Sequence, residues 1–256
     1  VPVLANATMR RTLTVWDMLS AAGRTVGIVG WWATWPAEPV RGWLVSDRMT
    51  RSRWSEWSDG VKQEGLTYPD ELAGELLPLV VDPLEPPMDE VRRIIELDAD
   101  DEAEFRAAQR PIRAHGLSVL KFALATQLTY ERIADHQLDK GQPDFTAVFL
   151  IANDAISHNF WHYHEPEKYR GVDPARLARL RPVVANSYRR NDEYLADLLA
   201  RVDESTVTIV ISDHGFRASG KLPSAGDRKR LHGAFTDEFA DDEEGLEVVT
   251  VGQSGI

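Results

Sequence analysis

The stretch VTIVISDH, residues 207–214, decides the fold, because an apolar run ends there in a carboxylate and an imidazole. The stretch AVFLIAN, residues 147–153, has the same design and is followed by Asp154 and, four residues later, by His158. Continuous Val/Ile/Leu runs bounded by polar residues are typical of strands buried on both faces, as in parallel sheets. Ligand-binding groups in open α/β sheets collect beyond the carboxyl ends of such strands. The sequence therefore predicts an α/β fold in which two Asp/His pairs face one crevice.

Both pairs consist of ligand types that suit zinc, a carboxylate oxygen and a neutral imidazole nitrogen. Asp154 and His158 are spaced to span a strand end and the first turn of a helix, while Asp213 and His214 come from a neighbouring strand. A lone Asp or His is more often a cap, a turn or a hydrogen-bonded polar group, but two pairs at two strand ends favour metal. Two metals about 3.5–4 Å apart are the usual arrangement for displacement at phosphorus. His232, downstream of the second pair, is either a further nitrogen ligand or a histidine of a surface loop.

Composition and charge exclude several classes of protein. The 256 residues are 43% hydrophobic and 27% charged, which is ordinary for a soluble globular domain. A net charge of −12 argues against binding to a nucleic-acid duplex, whose partners carry basic patches. The chain has no cysteine, so thiolate zinc sites and disulfides are excluded. No apolar stretch reaches the ~18–20 residues needed to span a bilayer.

The N-terminal part predicts a helix, a buried strand and an aromatic loop. Thr14–Ala22 has helical spacing of its apolar residues, and Thr25–Gly30 has the pattern of a buried strand. The loop Trp31–Glu38 follows, with three tryptophans in five residues. These aromatics either line a ligand crevice, with Trp32 and Trp35 contacting substrate, or form a small satellite core under the loop.

Residues 59–140 differ in character from their surroundings and predict a helical insertion or lid. An acidic helical stretch covers 89–108, and a longer helix covers 111–138 with leucines at three- and four-residue spacing. For residues 114–138 we prefer the alternative that this helix packs on the sheet as an ordinary crossover. Further along, Asp173-Pro174 is a typical helix start and predicts a helix that extends to about Leu199.

Three segments of the chain resemble a known family. Asp154-Ala-Ile-Ser-His158 and Ser212-Asp-His-Gly-Phe216 resemble two metal-ligand motifs of the alkaline phosphatase superfamily, in its type I phosphodiesterase and nucleotide pyrophosphatase branch. The stretch from Trp16 to Gly42 resembles the segment that follows the nucleophile in that branch, and the likeness covers 13–58 and 144–233. It implies a three-layer α/β/α sandwich with a largely parallel central sheet, formed by residues 1–256 as one incomplete domain with the 59–140 insertion.

The resemblance also implies a ligand set for two zinc ions, with Mn²⁺ as an alternative metal. Asp154 and His158 bind one ion, with His232 as a third protein ligand, and Asp213 and His214 bind the other. The family's second zinc also uses an Asp and a Thr nucleophile that both precede the Trp-rich segment. We therefore expect this chain to be a fragment that lacks them. Thr34 is a weak candidate for the nucleophile, because it is a threonine but follows the wrong strand. A structural role is favoured for it.

The implied activity is hydrolysis of small-molecule phosphate esters, with phosphodiester or pyrophosphate bonds as the first choice. We expect little or no turnover from the isolated segment. The alternatives are a phosphomutase or sulfatase of the same superfamily, or a catalytically dead domain that binds an anionic partner. The resemblance leans toward a periplasmic or secreted protein.

Overall fold

The computed structural model describes residues 5–50, 64–107, 109, 116–220 and 222. These residues form two compact units. The first consists of the described residues up to 85 together with 125–150, and the second of 86–124 together with those from 151 onward. Among the described residues, none of the helices has both the length and the apolar character of a membrane-spanning segment.

The regular elements confirm an α/β protein with a mostly parallel sheet, as the sequence predicts. The strands are β1 (Val26–Val29), β2 (Gly42–Val45), β3 (Thr67–Tyr68) and β4 (Phe145–Val148). They are arranged in the order β3-β2-β1-β4, with β1 parallel to both β2 and β4 and with β3 antiparallel to β2. The helices are α1 (Val15–Ala21), α2 (Leu72–Leu76), α3 (Met88–Ile94), α4 (Ala99–Ala107), α5 (Leu117–Leu138), α6 (Ala152–His164), α7 (Pro174–Leu180) and α8 (Val183–Leu199).

Alternate residues of a strand point to opposite sides of the sheet, and in the first unit other elements cover both sides. On one face Val26, Ile28 and Leu44 pack with Trp16 of α1. On the other face the cluster contains residues of β1, β2 and the second half of α5: Val29, Val45, Tyr130, Ile133 and Ala134. This is a three-layer arrangement within the first unit, and it supports the preferred interpretation that α5 packs on the sheet.

Gly30 ends β1 and lets α5 approach the sheet closely. It has φ +70°, and a Cβ at this position would lie 2.4 Å from the ring of Tyr130. The Tyr130 hydroxyl donates a hydrogen bond of 2.9 Å to the carbonyl oxygen of Asp47. Because glycine alone combines this backbone conformation with the lack of a side chain, the residue is required here.

The predicted strand over 147–153 is wrong in its extent. Strand β4 is Phe145–Val148, and α6 already begins at Ala152, so that Asp154 lies in the first turn of a helix. Val148 is opposite Val29, the last residue of β1. The N–H of Phe149 still donates to the carbonyl oxygen of Val29 at 3.1 Å, and the chain then enters α6 at Ala152.

The predicted strand over 207–212 is also wrong for the described part of the chain. These residues belong to no helix or strand, and their apolar side chains are exposed by 60–84%: Val207, Ile209, Val210 and Ile211. A run of β-branched residues has a preference for extended backbone, but a strand exists only where a neighbour supplies hydrogen bonds.

The helical predictions are largely confirmed, with breaks that local chemistry explains. The stretch 89–108 forms α3 and α4, and the 173–199 helix is divided into α7 and α8 at Pro182, which cannot donate a helical hydrogen bond. Asp173 caps α7, since its Oδ1 accepts the N–H of Ala175 at 2.9 Å. The block 59–140 also contains strand β3, and its role as a lid stays a prediction.

Candidate metal centre

Three of the predicted ligands come together in the second unit. Asp154 and His158 lie one turn apart on α6, with 3.4 Å between the Asp154 Oδ1 and the His158 Nε2. The Nε2 of His214 lies 3.6 Å from the same Oδ1. One ligand atom from each residue lies within 4.8 Å of the other two. Residues distant in the sequence therefore present one oxygen and two nitrogens to a common point.

These distances fit a zinc ion. Ligand atoms at about 2.0–2.2 Å from zinc with tetrahedral angles lie roughly 3.3–3.6 Å apart. The two carboxylate–imidazole distances of 3.4 and 3.6 Å agree with this separation. The two imidazole nitrogens lie within 4.8 Å of each other, and the three side chains are 38–46% exposed.

The electrostatics of the cluster favour positive charge. The hydrogen bond to Asp154 raises the pKa of His158 above its ordinary value, against the opposing effect of burial. A divalent cation placed here would meet the same carboxylate and would compete with the proton for the imidazole, because metal binding requires the neutral ring.

The Asp213 carboxylate does not face the ligand cluster in the way that the sequence predicts. Its Oδ1 accepts the backbone N–H of the next residue, His214, at 3.1 Å, and its carboxylate is not part of the three-residue cluster. The structure thus groups His214 with Asp154 and His158, whereas the resemblance places it with Asp213 on a second ion. No strand among the described residues pairs with the end of 207–212, so the spacing argument does not fix the direction of both side chains. His232 lies outside the described residues.

Two aromatic residues beside the cluster have no site role in the sequence-based prediction, although Phe216 ends the second motif. Phe216 packs its ring against both His158 and His214, and Trp161 stacks on Phe216 with centroids 5.5 Å apart. The available signal was spacing, since Trp161 follows His158 by three residues on α6 and Phe216 follows His214 by two.

The tryptophan loop lies in the first unit, and its contacts favour the satellite core. The ring of Trp32 contacts Phe149 at 6.5 Å between centroids. The guanidinium of Arg48 lies 3.5 Å above the ring of Trp35, whose Nε1 donates to the carbonyl oxygen of Glu64. These contacts hold the rings of both candidate substrate-binding tryptophans against protein groups.

Thr34 is 1% exposed, and its hydroxyl is used within the loop. It donates to the carbonyl oxygen of Trp31 and accepts the backbone N–H of Asp47 at 3.0 Å. The Asp47 carboxylate in turn accepts the N–H groups of Ala33 and Trp35. This network supports a structural role for Thr34.

An α/β fold with parallel strands and a carboxylate–imidazole cluster next to a helix start is consistent with the alkaline phosphatase superfamily. Within it, the chain belongs to the type I phosphodiesterase/nucleotide pyrophosphatase family, whose model matches residues 5–248. This confirms the resemblance and indicates a hydrolase of phosphodiester or pyrophosphate bonds. Comparisons with curated proteins and with solved structures give no significant match.

Proposed function

We propose that the protein is a zinc-dependent hydrolase of small-molecule phosphodiesters or pyrophosphates. The observation that carries this proposal is the convergence of Asp154, His158 and His214 within 4.8 Å in a chain of this family. When bound, zinc supplies Lewis acidity at the ester and activates the attacking oxygen. Asp154 would neutralise part of the cation charge, and the two imidazoles would bring the protein ligands from the described residues to three.

The proposal includes a second zinc ion at Asp213 and a further ligand to the first ion from His232. Asp213 is exposed and adjacent to His214, so its carboxylate is free to rotate from its backbone hydrogen bond toward a cation. Mn²⁺ is the alternative metal, because carboxylate oxygens such as those of Asp154 and Asp213 also suit it. Trp32 and Trp35 stay candidates for substrate contact, although their observed contacts are with protein groups.

We also propose that these 256 residues alone hydrolyse substrate slowly at best. Thr34, the candidate nucleophile named from the sequence, is buried, and its hydroxyl already donates one hydrogen bond and accepts another. A hydroxyl held in this way is not presented to a phosphorus atom.

Zinc binding tests the site. The purified chain is stripped with a chelator and titrated with Zn²⁺ against a competing chromophoric chelator, beside His214→Ala and, as the control, His136→Ala. We expect the parent and the control to bind zinc equally and His214→Ala to bind at least about tenfold more weakly. Equal binding by the parent and His214→Ala would show that the site is misassigned.

Hydrolysis tests the reaction. The zinc-loaded chain is assayed with bis(p-nitrophenyl) phosphate, p-nitrophenyl phosphate and p-nitrophenyl sulfate. We expect slow release of nitrophenol, fastest from the diester and abolished by chelator. Fast turnover of the diester would contradict the low activity proposed for these residues, and a preference for the sulfate would favour the sulfatase alternative.

A further inference from the structure

Phe216 contacts both imidazoles of the ligand cluster, and we propose that it is a positioning residue for the cation site. Its ring centroid lies 4.9 Å from that of His158 and 5.2 Å from that of His214, with the planes at 78° and 68°. These are edge-to-face contacts, a geometry that aromatic pairs prefer. One side chain thus restrains the orientation of two ligands. The inference rests on the proposed metal site and adds a residue to it.

Phe216 is itself held by an anchored ring. Trp161 stacks on it at 5.5 Å with the planes at 26°. Trp161 follows His158 by three residues on α6, so the two side chains lie on one face of the helix. The Trp161 Nε1 donates to the Glu165 carboxylate at 2.8 Å, and Glu165 also pairs with Lys168. Trp161 therefore holds the ring of Phe216 against α6.

His214 depends on this contact more than His158 does. His158 is carried by a helix, whereas His214 lies in a segment outside the helices and strands. The hydrogen bonds at Ser212 and Asp213 are local, since their partners are within two residues, and they do not join His214 to α6. Five residues further on, the Ser219 N–H donates to the Tyr169 hydroxyl at 3.2 Å, which leaves the turn 212–216 to the contacts of Phe216 and Asp154. Phe216 joins the turn to α6 by packing against His158 and Trp161.

The consequence is a difference in the cost of binding metal. With the ring present, His214 is held near Asp154 before the cation arrives. Without it, the turn must be ordered when the cation binds, which lowers affinity. We expect Phe216→Ala to weaken Zn²⁺ binding by about tenfold or more, comparable to the loss of other groups that orient metal ligands.

The experiment compares Phe216→Ala, Phe216→Leu and Phe216→Tyr with the parent chain. The matched control is Tyr188→Ala, which removes an aromatic ring that is 47% exposed on α8. Zn²⁺ affinity is measured by chelator competition, and Co²⁺ is added separately because its visible absorption reports the geometry of its ligands. Thermal unfolding of the metal-free proteins shows whether each variant folds.

We expect weaker Zn²⁺ binding and an altered Co²⁺ spectrum in the Ala and Leu variants, and recovery of both in Phe216→Tyr. If Phe216→Ala does not fold, Phe216→Leu carries the test, because it keeps apolar volume and loses the ring. Parent-like affinity and spectrum in a folded Ala or Leu variant, or an equal loss in Tyr188→Ala, would overturn this inference alone. A parent chain that binds no Zn²⁺ would overturn the metal site, and this inference with it.

Discussion

At the scale of the residue, Asp154 determines the chemistry of the site. Its Oδ1 lies 3.4 Å from the Nε2 of His158 and 3.6 Å from that of His214, so one carboxylate serves two imidazoles. It raises the pKa of His158 by hydrogen bonding to the charged ring. At the proposed site a proton and a metal ion would compete for the imidazole, so we expect acidification to weaken metal binding.

Substitutions of Thr34 can distinguish a structural role of its hydroxyl from a catalytic one. Thr34→Val keeps the shape and removes the hydrogen bonds to Trp31 and Asp47, so we expect a loss of about 1–3 kcal/mol in the free energy of unfolding. Thr34→Ser retains the hydroxyl and should recover most of this loss. Chemical denaturation measures both variants. A catalytic role would instead be indicated by Thr34→Val with unchanged stability and abolished diester hydrolysis.

At the scale of the element, a buried carboxylate joins α4 to α7. Asp101 is 2% exposed and receives hydrogen bonds from Arg179 at 2.8 Å and Arg176 at 3.1 Å. Burial raises the pKa of Asp101, but the hydrogen bonds and charges of the two arginines outweigh it, so the pKa lies below the ordinary value. The charged form is thus favoured by the folded protein.

Replacing this carboxylate should destabilise the protein in a pH-dependent manner. Because the folded pKa is depressed, the contribution of Asp101 is present above its unfolded pKa of about 4 and is lost as the pH falls through the folded value. We expect Asp101→Asn to lower the free energy of unfolding by about 1–3 kcal/mol at neutral pH, discounted for the partly exposed arginines. The difference from the parent should shrink in acid.

The neighbouring exposed carboxylate is the control for this prediction. Asp100→Asn lies on the same helix and changes the net charge by the same amount as Asp101→Asn. Because Asp100 is exposed, we expect it to alter the free energy of unfolding little. Denaturant unfolding at neutral pH and in acid measures both variants. A constant difference between Asp101→Asn and the parent at all pH values would contradict the assignment.

The elements also show what sequence reasoning can and cannot reach. The starts of α1 and α7 were predictable because capping is local: the Thr14 hydroxyl accepts the N–H of Asp17, and Asp173 caps α7 in the same manner. The ends of the strands were not predictable, because strand pairing depends on residues that are distant in the sequence. Strand β4 stops opposite the end of β1, and 207–212 has no strand partner among the described residues.

At the scale of the whole molecule, the family and the fold class were predictable, and the site was predictable in part. Residue types and order indicated Asp154, His158 and His214, which the structure brings together. Sequence spacing does not predict how the turn after 207–212 packs against α6. The direction of the Asp213 side chain and the packing of Phe216 both depend on that arrangement. The tryptophan loop belongs to the first unit and the ligand cluster to the second.

The most direct test is to locate the metal. A crystal of the Zn²⁺-loaded chain, measured on both sides of the zinc absorption edge, gives the position of the ion independently of its ligands. We predict an anomalous peak about 2.0–2.2 Å from an Asp154 carboxylate oxygen and from the Nε2 atoms of His158 and His214. A zinc peak elsewhere, with these three side chains making no contact to it, would contradict the shared cation on which the proposed function depends.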